Sequence, residues 1–130
     1  MDQVVGTDRD LSARETGRLI AADKVEGTSV ENTKGESLGS IYRVMIDKYT
    51  GKVAYAVMSF GGFLGIGDRY HPLPWSVLHY DTNAGAYVID LDKRVLEGAP
   101  TFGRDETVNW DDRAWGTRVH DYYGVPPYWM

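Results

Sequence analysis

The chain has 130 residues, 42% apolar and 25% charged, which suits one globular domain with tails and needs no staple to hold a core. It has no cysteine, which excludes a disulfide framework, a thiolate metal site and a cysteine nucleophile, and fits a reducing compartment. The formal charge of −5 argues against a general nucleic-acid binder, which needs a basic face to displace counterions, but leaves a basic protein open as a partner.

Residues 1–17 mix charges and are poor in large apolar side chains, so they read as a flexible N-terminal arm. The arm lacks the apolar run of a signal peptide. No window approaches the ~20 apolar residues of a membrane helix, so the expectation is a cytoplasmic protein without membrane insertion. Residues 18–23, RLIAAD, are the first expected strand, and residues 25–30 continue extended. Asn32, Thr33, Lys34 and Gly35 have turn composition. Residues 37–47, SLGSIYRVMID, form a long strand. Counted by twos, Leu38, Tyr42, Val44 and Ile46 share a face; a bulge at Gly39 would instead bring Ile41 inward. A tight turn over residues 47–52 makes residues 37–60 a hairpin.

Residues 53–68, VAYAVMSFGGFLGIGD, are the centre of the pattern. Residues 53–60 are apolar enough to be covered on both faces, as in a central strand. Gly61, Gly62, Gly65 and Gly67 follow, interleaved with Phe63, Leu64 and Ile66 and closed by Asp68. Residues 69–73 are another strand, which Pro72 makes an edge or ends. Pro74 to Val77 read as a corner with Trp75 and Val77 as plugs. Residues 78–80 and 86–91 form a second hairpin. Asp92 caps a short helix that contacts the rest through Val95 and Leu96, and Gly98 and Pro100 stop it. Many short strands without βαβ units indicate an all-β barrel or sandwich.

Residues 101–130 differ in kind. Asn109 is placed to cap a helix running to about Tyr122, on which Trp115, Val119 and Tyr122 make one apolar stripe. Gly124 and the pair Pro126 and Pro127 end it. With Trp110 and Trp129 nearby, this extension is expected to dock, either on its own barrel or swapped onto a partner chain.

No constellation reaches the level of an enzyme. The glycine stretch has neither the dinucleotide spacing nor the lysine of a phosphate loop, so a structural role is favoured, with an exposed Phe63, Leu64 and Ile66 tip as a partner contact in the alternative. His71, His79 and His120 lack ligand spacing for a metal. Asp47 with Asp68, and Asp90 with Asp92, are explained by turns and caps. Ser59 and Ser76 lack a nucleophile elbow.

Residues 18–100 resemble the PRC-barrel family, named for a domain in the H subunit of photosynthetic reaction centres. The likeness rests on KGESLGSIYRVMID at 34–47, TGKVAYAVMSFGGFLGIGD at 50–68 and HPLPWSVL at 71–78. It implies a small six-stranded antiparallel β-barrel, to which residues 101–130 add a helical, aromatic-rich extension outside the family's domain. Relatives include a module of a ribosome maturation factor and short stand-alone proteins of unassigned or stress-related role. No catalytic residues come with the resemblance. What it implies is structural: Gly61, Gly62, Gly65, Gly67 and Asp68 as a loop, Pro74 and Trp75 as a corner. The expected function is a non-catalytic protein-interaction or assembly module without cofactor, forming a homodimer and holding an unidentified protein partner. The candidate contacts are Phe63, Leu64, Ile66, Trp110, Trp115, Val119 and Tyr122. Two alternatives stay open. One is a small-ligand or metal-binding barrel with its mouth lined by the glycine stretch and His71. The other is a ribosome- or RNA-associated assembly factor, which the charge disfavours.

Overall fold

The structure is a computed structural model and describes residues 14–60 and 69–130. The glycine stretch, with Gly61, Gly62, Gly65, Gly67, Asp68 and the tip residues Phe63, Leu64 and Ile66, lies outside the described residues, as do residues 1–13. Seven strands make one sheet: β1 (Ser29–Asn32), β2 (Ser37–Ile46), β3 (Val53–Phe60), β4 (Arg69–Pro74), β5 (His79–Asp81), β6 (Ala86–Ile89) and β7 (Phe102–Gly103), in the order β5-β6-β1-β2-β3-β4-β7. Among the described residues three helices accompany it: α1 (Ala22–Val25), α2 (Lys93–Glu97) and α3 (Arg113–Tyr123). No helix among the described residues is long and apolar enough to cross a membrane.

The expected six-stranded antiparallel barrel is corrected in three respects. The sheet has seven strands because β7, in the extension, pairs with Arg69 and Tyr70 of β4. It is mixed, because β1 runs parallel to β6. Among the described residues it does not close, since β5 and β7 are its two edges. The parallel pair follows from the corner at Trp75–Val77. Each hairpin reverses the chain, but this 3₁₀ turn joins β4 to β5 without pairing them, so the alternation of direction slips by one strand. A reading that treats every turn as a reversal misses this.

The strand expected over residues 18–23 is also corrected. Ile20 makes a single bridge with Glu15, and Ala22–Val25 form a helical turn, in keeping with the alanine pair and the lysine there. Glu15 is ion-paired with Lys24 and accepts from the Tyr80 hydroxyl at 2.9 Å, which fastens this segment over β5.

The inward face of the sheet carries the core. Val30, Ile41, Ala56, Met58, Leu73, Ile89 and Leu96 are buried together. The register of β2 shifts twice. Against β1, Gly39 pairs with Val30 and Ser37 with Glu31, which leaves Leu38 as an extra residue beside Gly39 as expected. Against β3, Ile41 pairs with Met58 and Arg43 with Val57, which leaves Tyr42 as another. Ile41 therefore points inward at 1% exposure, while Tyr42 and Ile46 turn outward at 45% and 49%. Gly39 has its own reason. A methyl group there would lie 2.0 Å from the Ser59 carbonyl oxygen, so β2 and β3 cross at a point where only glycine fits.

β3 is the central strand expected, with Ala54, Tyr55, Ala56, Val57 and Met58 all buried. β4 is covered by β7 only at Arg69 and Tyr70, so Pro72, opposite Val57, occupies a stretch that needs no donor on that side. Gly39→Ala is expected to cost about 3 kcal/mol, because the clash is with a main-chain carbonyl that no rotamer relieves. Urea unfolding checks this, and an unchanged midpoint would contradict the close approach.

Candidate functional site

A strand apolar on both faces needs a second cover. The outward side chains Tyr55 and Val57 are buried although they point away from the main core. The extension supplies the cover. α3 packs against β4, and Val119 of α3 clusters with Ala54 and Tyr55.

The helix begins at Asp112, whose Oδ1 accepts from the Ala114 and Trp115 amides at 3.0 and 3.4 Å. The expected cap, Asn109, forms the preceding turn instead, accepting from the Asp111 amide at 3.1 Å. Gly124 ends the helix in the left-handed conformation, as read from the sequence.

The covered stripe is one residue out of step with the Trp115, Val119 and Tyr122 pattern. It consists of Gly116, Val119 and His120, with Tyr123 half-buried below them. The reason is steric. A methyl on Gly116 would sit 3.0 Å from the Tyr55 hydroxyl and 3.0 Å from the Trp129 ring, so glycine brings the helix down onto Tyr55. His120 fills the next position, its Nδ1 donating to the Gly116 carbonyl at 2.7 Å. Val119 is wholly buried and serves this intrachain contact. Tyr122 is 40% exposed and donates its hydroxyl to the Val95 carbonyl, tying α3 to α2.

Around Tyr55 the rings form a continuous band. Tyr42 stacks on Tyr70 at 4.7 Å, Tyr70 meets Phe102 at 5.5 Å, Phe102 meets Trp110 at 5.9 Å, and Trp110 meets Tyr55 and Trp115 at 5.3 Å each. Tyr128 closes on Tyr55 at 5.6 Å, edge on. Trp110 stands between two clefts. One, of about 400 Å³, lies between the β2–β3 turn and the end of the chain and is lined by Ile46, Tyr49, Tyr55, Trp110, Tyr128 and Trp129. The other, of about 330 Å³, is lined by Tyr42, Arg43, Tyr70, Phe102 and Trp110. At the first cleft Tyr49 is 98% exposed and Ile46 and Tyr128 are half exposed, a cluster of apolar surface in one place.

The sequence singled out Trp110 and Trp115 in this region but passed over Tyr42, Tyr49, Tyr55 and Tyr128. An aromatic in the turn Asp47-Lys48-Tyr49-Thr50-Gly51 was the available signal, since such turns are built of polar residues and glycine.

His71 is engaged elsewhere. His71 is buried in the inward face, its Nε2 donating to the Leu96 carbonyl at 2.8 Å, and burial holds its pKa below the usual range, so the ring is neutral. Among the described residues no group of three or more metal-ligating side chains gathers. Burial raises the Tyr55 hydroxyl from 10.0 to about 12, with Tyr128 as the second cause. Burial likewise raises Tyr123 well above its ordinary value. Neither hydroxyl has a hydrogen-bond partner among the described residues.

The family model described as "PRC-barrel domain" matches residues 17–96. Among solved structures the chain is similar to a protein described as a 16S ribosomal RNA processing protein, RimM, from Pseudomonas aeruginosa. The two share 23% identity over 62% of this chain and 49% of that one, with a TM-score of 0.39. The chain thus spans about half the length of that structure, and so loose a likeness carries no argument about function. No curated protein matches the chain.

Two outcomes follow from the cover on β3. Removing residues 101–130 exposes Tyr55 and its neighbours, so the shortened chain is expected to aggregate on size exclusion where the full chain does not. The second concerns pH. The unfolded tyrosine ionises near 10.0 and the folded Tyr55 only near 12, so the protonated ring favours the fold below pH 10 and that contribution is lost as pH rises toward 12. Tyr55→Phe should therefore flatten the alkaline loss of stability measured by denaturant titration. It should also cost little at pH 7, because the hydroxyl it removes is buried without a partner.

Proposed function

The chain belongs to the PRC-barrel family, and from that premise we propose that it is a non-catalytic interaction module acting in the cytoplasm, which holds a protein partner on the outer face of its sheet. The observation that carries this reading is the cleft between the β2–β3 turn and the extension, where Tyr49, Ile46 and Tyr128 leave large apolar surface in water. Interfaces draw most of their affinity from a few aromatic anchors that lose their water on binding. Tyr49 is presented for that use. Its turn is held by the Asp47 amide donating to the Lys52 carbonyl and the Gly51 amide donating to the Asp47 carbonyl, both at 2.8 Å. Asp47 Oδ1 also accepts from the Tyr49 amide at 2.9 Å. A side chain displayed on so braced a turn loses little backbone entropy when it is covered.

The histidines support the same reading: His71 is engaged on the inward face between β4 and α2, and His120 packs on Tyr55 of β3 at 5.3 Å on the outer face, so two of the three have structural duties. The candidate contacts of the extension divide accordingly: Trp110 reaches both clefts, while Trp115 and Val119 hold the extension on the sheet.

A photo-crosslinking amino acid at position 49 tests the reading in cells. Protein adducts are expected from position 49 and not from position 95, which lies on α2 away from the cleft. Equal yields at the two positions, or none at 49, would remove the cleft from consideration. Tyr49→Ser should weaken association about tenfold or more and, at concentrations where the chain is unassociated, leave the unfolding midpoint unchanged, since the ring supports nothing in the folded chain.

A further inference from the structure

Resting on that reading, we infer that the occupant of the cleft is a second copy of this chain, docked about a twofold axis so that Tyr49 of each copy enters the cleft of the other against Trp110 and Tyr128. The cleft and the side chain that would fill it belong to the same patch. Tyr49 lines one wall of the opening, and it stands 98% exposed on the braced turn. A patch that carries both a projecting ring and an aromatic recess beside it is complementary to itself, as a twofold interface requires, and each contact is then made twice. The recess, at about 400 Å³, has room for an aromatic ring and its neighbours.

Charge favours this occupant over a strongly basic one. The chain as a whole carries −5, so two copies repel each other on average. The rim of the cleft departs from that average: it carries two acids, Asp47 and Asp111, and two bases, Lys48 and Arg113. A strongly basic partner would be expected to face an acidic rim. A neutral rim of alternating sign suits a patch that meets its own image. On such docking the turn brings Asp47 and Lys48 of one copy toward Asp111 and Arg113 of the other, so that each base lies near an acid. Arg113 is steadied for this by lying over the Trp129 ring at 5.1 Å.

The test uses the full chain in sedimentation equilibrium across a wide concentration range. The native chain is expected to dimerise. Tyr49→Ser should raise the dissociation constant about tenfold or more. Lys48→Asp sets an acid against Asp111, and Asp111→Lys sets a base against Lys48, so each variant alone should be largely monomeric. An equimolar mixture of the two should recover dimer, because every reversed charge then meets its opposite. All three positions are exposed, and circular dichroism confirms that the variants fold. A native chain that stays monomeric throughout overturns the inference, as does a dimer indifferent to Tyr49→Ser, or a mixture no more dimeric than its components. If crosslinking at position 49 nevertheless yields adducts with another protein, the self-association fails while the interaction-module reading stands. If it yields none, both fail.

Discussion

Tyr55 stands on the side of β3 that faces away from the main core, and the chain beyond residue 100 is arranged to keep it dry. The dependence runs both ways. α3 has eleven residues, and a helix of that length is marginal in water without a surface to dock on. Strand β3, buried over five successive residues, would leave Ala54 and Tyr55 in water without the extension. Each therefore completes the other. The contact is close because Gly116 omits the one side chain that would hold the helix off Tyr55.

The two faces of the sheet are coupled through β2. The bulges at Leu38 and Tyr42 let Leu38, Ile41 and Val44, each three apart, all meet the core, while Tyr42 lies outward on Tyr70. Without the extra residues, a strict alternation would commit the strand to one assignment along its whole length. The bulge at Tyr42 thus begins the outer aromatic band that runs through Phe102 and Trp110 to Tyr55. Gly39, one turn of the pleat earlier, lets β2 approach β3 closely enough for the core pair Ile41 and Met58 to meet. Surface and core are set by neighbouring residues of a single strand.

What was legible in the sequence was what depends on local pattern. The run at residues 53–60 announced a central strand because its apolar residues leave no face for water. The Pro74 and Trp75 corner and the Gly124 stop were readable because proline and glycine restrict the backbone in known ways. What was lost depended on partners distant in sequence. The parallel pairing of β1 with β6 is decided by the sum of all intervening turns, and no single turn reveals it. The stripe on α3 was misread because Gly116 and His120 are not apolar by composition. They belong to the stripe only because Tyr55 lies opposite, and nothing near them in sequence says so. The same holds for Asp112: Asn109 has equal capping chemistry, and the choice depends on where the turn at Trp110 delivers the chain.

The two faces of the sheet are filled in different ways. A core of this size consumes its inward face entirely: His71 is drawn into it, and its one engaged nitrogen ties down α2. Among the described residues the inward face is filled by its own side chains, and the exposed rings Tyr42, Tyr49 and Tyr128 lie on the outer face. The rings there differ in what they support: Trp110 and Tyr128 pack on Tyr55 and Tyr42 on Tyr70, whereas Tyr49, 98% exposed, supports nothing in the folded chain. The outer face therefore carries stability as well as exposed surface, and Tyr49 is the position there where a substitution costs the fold least.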